Sequence, residues 1–228
     1  MRALHTRATS PSFAEAMTEL SEWFWDGCLD ECSELVGEAL LASPLAQANF
    51  DALSCLDTVG SQGKSAAAEV LSECALQPNE IALLTEASLA RPRLLRIGPT
   101  NAIGRRKLHE VHGGARRSVN PDHWPLSMSG GDLVIGRLIG TNDDSRWIGP
   151  VYPFPSGTPA DVILDVRQGL RDLDHAALAE RPAATERFLV DLHHQWFFHV
   201  FAARQQPGAM QDPPPTFTLL RGSVRPSG

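Results

Sequence analysis

The chain has 228 residues, 43% of them hydrophobic, and a net charge of −7, so it holds enough apolar material to bury a core as one large domain or two small ones. Its longest apolar runs, residues 133–139 and 196–203, are interrupted by Arg137 and His199; neither a signal peptide nor a membrane span is expected, and the expected location is the cytoplasm. The charge is uneven, because residues 1–90 carry 14 acidic and 3 basic side chains whereas 8 of the 20 Lys and Arg fall within residues 91–117, opposed there by Glu110 alone.

In chain order, Ser12 and Glu15 have the Ser-x-x-Glu form of a capping box. From Phe13, the residues Met17, Leu20, Phe24, Cys28, Cys32, Leu35, Val36, Ala39 and Leu40 recur mostly three and four apart. That spacing predicts one amphipathic helix reaching residue 42, bent at Gly27. Ser43-Pro44 reads as a cap and first-turn proline opening a second helix with Leu45, Phe50, Leu53 and Leu56. Two shorter helices fit residues 65–76 and 79–89, stopped by Pro92, which makes residues 1–90 an acidic helical bundle. Gly63-Lys64-Ser65 supplies the end of a phosphate-loop pattern, but Thr58 stands where its first glycine is needed and a helix precedes it. The stretch therefore reads as a turn.

Residues 91–130 read as an irregular basic segment, with a short helix over residues 101–112 capped by Thr100 and ended by Gly113. Apolar stretches at residues 133–139 and 147–151 flank the polar cluster 141–145 and predict a β-hairpin. Pro150, Pro153 and Pro155 are expected to stop its second strand, while Gly136 and Gly140 suggest a bulge or a close backbone approach. Thr158-Pro159-Ala160-Asp161 starts a helix continued by Val162, Ile163, Val166, Leu170, Leu173 and Ala177, and a last helix covers residues 184–204. The Pro-rich tail, residues 205–228, has one stretch, 216–220, able to add a strand. The expected fold class is α+β and mostly helical: an N-terminal helical bundle (1–90), a basic irregular segment (91–130), a small central antiparallel hairpin sheet with two C-terminal helices (131–204), and the tail.

Few residues suggest chemistry. Cys28, Cys32, Cys55 and Cys74 lack metal-ligand spacing and read as free thiols in helices, so no metal and no other cofactor is expected. His193 falls at the middle of an apolar arc formed by Leu189, Val190, Leu192, Trp196, Phe197, Val200 and Phe201, and is expected to be buried. His194 falls on the polar side and His199 at the boundary, so the three histidines do not converge from one helix. His109-Glu110-Val111-His112 has its histidines three apart rather than the four that a zinc-protease helix needs, and Glu110 reads as a local counter-ion. Asp122-His123 has no activated nucleophile nearby and reads as a turn.

Three functions fit these features. The leading one is a non-catalytic binding or adaptor subunit in which Arg105, Arg106, Lys107, Arg116, Arg117 and Arg137 meet an acidic or extended segment of a protein or peptide, aided by an open hairpin edge. A recognition subunit of a peptide- or protein-modifying enzyme complex would have this character. The second is an enzyme with a site of unrecognised type at His193, His199 or His109. The third is a winged-helix-like nucleic-acid binder, disfavoured by the net charge of −7 and by a basic strip without aromatic residues.

Overall fold

The structure, a computed structural model, describes residues 2–120, 128–177 and 180–205. The possible tail strand at residues 216–220 and the pair Asp122-His123 lie outside the described residues. The fold class is α+β, with helices at both ends of the chain and a barrel between them.

Helix α1 (Arg2–Ala8) precedes the stretch read as one bent helix, which is divided. It comprises a 3-10 turn (Pro11–Phe13), α2 (Ala14–Ser21), a π turn (Glu22–Asp26) and α3 (Gly27–Leu29), and after a break α4 (Glu34–Leu41). Gly27 stays helical at φ −58°; the interruption comes at Ser33, whose extended backbone (φ −70°, ψ 153°) starts α4. The Ser12 capping box does not form, because Ser12 sits within the 3-10 turn with its hydroxyl against that of Ser10 at 2.9 Å. A capping box forms instead at Gln77 and Glu80, opening α7 (Pro78–Leu89). Ser43 and Ser65 do cap α5 (Pro44–Leu56) and α6 (Ala66–Glu73), each hydroxyl accepting a backbone N–H at 3.3 Å. Between them the phosphate-loop-like stretch closes on itself, Gly60 N–H donating to Lys64 O and Gly63 N–H to Gly60 O.

The basic segment departs most from expectation. Its described residues are not irregular, and no helix covers residues 101–112; they form β1 (Arg93–Thr100), β2 (Arg106–Glu110) and β3 (Arg116–Val119). The Asn101 carboxamide accepts from the N–H groups of Ile103 and Arg105 at 3.1 and 2.8 Å, and Gly104 has φ +80°. A residue that satisfies the backbone this way builds a turn, and Thr100 ends a strand instead of capping a helix. The Gly113-Gly114 pair is the next turn, with Gly114 at φ +66° and Glu110 N–H donating to Ala115 O.

The predicted hairpin exists as β4 (Leu133–Thr141) and β5 (Asp144–Phe154), within a closed barrel of strand order β1-β2-β3-β5-β4. All neighbouring pairs are antiparallel except β3 with β5, which is parallel through Val119 and Ser145. This is the connectivity of an OB-type Greek-key barrel. The hairpin edge expected to await a partner is therefore occupied, since β4 pairs with β1 as well as β5. Nor do Pro150 and Pro153 stop β5. Between Tyr152 and Ile148 the strand places Gly149, Pro150 and Val151 opposite Gly136 alone, a bulge in which a proline forfeits no ladder bond. Gly149 takes φ +80° there. The backbone of Val151 is matched by the Asn49 side chain of α5, which donates to Val151 O and accepts from its N–H, both at 2.9 Å.

After the barrel come α8 (Ala160–His175) and α9 (Arg181–Trp196), which continues through a π turn (Phe197–Phe201) into α10 (Ala202–Gln205). One apolar cluster unites Phe24, Leu40, Leu53, Leu95, Ile97, Leu108, Val134, Tyr152, Val166, Leu189 and Trp196, so N-terminal helices, barrel and C-terminal helices share a core. A second cluster joins α1, α6 and Phe13.

Candidate anion-binding face

In β2, Leu108 points into the barrel opposite Ile97, which turns Lys107 and His109 outward. The same alternation turns out Arg96 of β1 and Arg116 and Ser118 of β3. Register then aligns them: Arg96 pairs with His109, His109 with Arg116, and Lys107 with Ser118. Arg96, His109 and Arg116 form one row across three strands, the imidazole separating two guanidinium groups. Gly98 lies beneath the ring, since a Cβ there would come within 3.0 Å of His109 Nε2 and 3.2 Å of its Cδ2. Arg96, Lys107 and Arg116 are exposed, and none forms an ion pair among the described residues.

The other basic residues are engaged. Arg91 pairs with Asp174 at 3.0 Å, and Arg93 bridges Glu110 at 3.2 Å and Asp174 at 3.9 Å, so Glu110 is the counter-ion of a neighbouring strand. Arg105 ties the β1–β2 turn to the β4–β5 turn through Asp143 O and the Asp144 carboxylate. Arg106 donates to Met128 O, and Arg117 to Gly140 O at 3.2 Å. Arg137 is no surface residue: 4% exposed, it forms a two-pronged ion pair with Asp57 inside the protein. Of the six cations assigned from the sequence, Lys107 and Arg116 stand free on one face, Arg105, Arg106 and Arg117 fasten its rim, and Arg137 lies in the core. Arg96 and His109 belong to the face and were not assigned to it; the period-two pattern around Leu108 was the available signal. No ion pair among the described residues joins the strip to residues 2–90, whose acids pair with Arg7 and Arg137.

Among the described residues, His193, His194 and His199 do not converge on one acid–base site. His193 is fully buried, its ring stacked on Phe24 at a centroid distance of 3.6 Å, with Trp25, Tyr152 and Trp196 around it. Neither ring nitrogen has a partner among the described residues. Burial, and secondarily His194, holds its pKa well below the usual histidine value. His194 meets Trp23 O at 2.6 Å, and His199 is exposed. Burial pushes the Cys28 thiol up to about 12, with Cys32 and Glu31 adding to the effect, and raises Cys55 as well. Such thiols are poor nucleophiles. Glu186, on α9, is raised to about 7 by burial, against hydrogen bonds from the Val59 backbone and the Thr58 side chain. Among the described residues no three His, Cys, Asp or Glu side chains are grouped so as to hold a metal ion, and no helix is long and apolar enough to cross a membrane. No protein family, curated protein or solved structure matches the chain.

Proposed function

We propose that this chain is a non-catalytic binding subunit that recognises an anionic segment of a partner protein on the outer face of β1, β2 and β3. The observation carrying this reading is the register row Arg96–His109–Arg116 with Lys107 beside it, in which the half-buried His109 is flanked by Arg96, Arg116 and Lys107, exposed and without counter-ions among the described residues. Cations held within cross-strand reach of one another repel, and an anionic partner relieves that repulsion. The partner meets side chains on a sheet face and adds no strand, because β4, the edge first considered, is paired on both sides.

A second reading, single-stranded nucleic acid, is favoured by the strand order, since OB-type barrels bind oligonucleotides around strands 2 and 3 and the loops beside them. Against it, the face carries no Phe, Tyr or Trp on which bases could stack. The winged-helix version has no support, because the residues expected to form its recognition helix, 101–112, form strand β2 and its flanking turns. The test compares wild type with the triple variant Arg96→Ala, Lys107→Ala, Arg116→Ala in titrations with a poly-glutamate peptide and with oligothymidylate at low and high salt. The expected result is salt-sensitive peptide binding that the variant loses, while its stability changes by no more than about 0.5 kcal/mol. Tighter oligothymidylate binding would favour the second reading, and failure to bind either would refute both.

A further inference from the structure

Resting on the proposed role of this face, we infer that its ligand is a phosphoryl group carried by a partner protein, a phosphorylated side chain seated over His109 between Arg96 and Arg116. Three features point to a compact, doubly charged, many-oxygen anion and away from a lone carboxylate. First, the donors come from three strands in one row. Arg96 and Arg116 stand two strand spacings apart, about 10 Å between backbones, so extended arginines meet above the central strand. A phosphoryl group offers three acceptor oxygens and a charge of about −1.5 to −2 near neutrality, enough for two guanidinium forks and one imidazole N–H; a carboxylate has only two oxygens.

Second, Gly98 lets the His109 ring lie against the bare β1 backbone, where any larger residue would put a Cβ within 3.0 Å of its Nε2. The next row adds the Lys107 ammonium and the Ser118 hydroxyl. Third, the charge is local. The molecule totals −7, and residues 1–90 carry 14 acids against 3 bases, so a polyanion gains only from the charges that sit on the face, whereas a compact dianion keeps its whole charge there.

The test is amide NMR on the whole chain with four probes: a glycine-rich peptide bearing one phosphoserine, the same peptide with serine, the same with glutamate, and inorganic phosphate. Phosphopeptide and phosphate are expected to shift saturably the amides of residues 96–98, 107–109 and 116–118, with the serine peptide silent and the glutamate peptide weaker by about tenfold or more. Arg96→Lys and Arg116→Lys, which keep charge but lose the fork, should each weaken the phosphopeptide by about tenfold. Gly98→Ala, whose methyl forces the His109 ring to give by a few tenths of an ångström, should weaken it while leaving the glutamate peptide unaffected. Equal binding of glutamate and phosphoserine peptides would overturn the phosphoryl assignment and leave the anion-binding role standing. Oligothymidylate binding more tightly than the phosphopeptide would overturn it in favour of nucleic acid. Silence from every probe would refute both the assignment and the role beneath it.

Discussion

Acidification should expose a hidden opposition between two buried groups of α9. His193 is 0% exposed and its ring nitrogens have no partner among the described residues, so the native state resists a proton that the unfolded chain accepts below about pH 6.5. A histidine with a lowered folded pKa contributes stability above its unfolded value and loses it as pH falls. The slope is about 1.4 kcal/mol per pH unit, or about 2 kcal/mol between pH 6.5 and pH 5. Glu186 acts in the reverse sense. Its folded pKa is raised from 4.5 to about 7, so it contributes stability at low pH that disappears as pH rises through about 7. Between about pH 5 and 6.5 the two slopes oppose each other, and wild type should look nearly flat. Glu186→Gln should uncover the histidine slope, losing about 2 kcal/mol over that interval. His193→Leu should gain stability on acidification, and the double variant should be flat. Urea unfolding followed by the fluorescence of Trp25 and Trp196, which neighbour His193, reads all four proteins. A flat Glu186→Gln profile, or a His193 imidazole titrating near its ordinary value by NMR, would refute the reasoning.

Removing one partner of the buried Arg137–Asp57 pair by Arg137→Ala should cost about 3–5 kcal/mol in urea unfolding, because it strands a carboxylate in the interior; Arg137→Met with Asp57→Leu should recover most of that loss. Asn49→Ala leaves the Val151 N–H and C=O in the bulge without their partner and should cost about 1–3 kcal/mol, with faster amide exchange at Val151. Thiol labelling of the native protein should modify exposed Cys74 first, and Cys28 and Cys55, buried and raised in pKa, only on unfolding.

Where a signal was local, the chain order of residues disclosed it. Ser43-Pro44 and Ser65 start helices as their side-chain chemistry requires, and the apolar arc of α9 buries His193 as its phase demands. The barrel was harder to read because β2 and β3 bury few side chains: Leu108 is the buried residue of β2 and Val119 that of β3. Such strands are fixed by remote partners, with Arg96 opposite His109 and Leu95 opposite both Glu110 and Val134, and no short window contains those pairings. The candidate face suffered the same loss. Its residues were visible as charge, but register decided which cations share a row, which fasten turns and which enter the core. Neither of the π turns at Glu22–Asp26 and Phe197–Phe201 was anticipated.

The Asn49 amide makes the two bonds that a neighbouring strand would make to Val151, yet it is attached to a helix 102 residues earlier in the chain. During synthesis α5 therefore leaves the ribosome long before the segment it completes. Until β5 emerges, an unmatched carboxamide and the apolar residues Leu45 and Leu53 beside it wait without their counterpart, and a ribosome stalled before residue 151 would hold a helical region that cannot finish its own interior. Through that interval the nascent chain exposes apolar surface of the kind that chaperones cover.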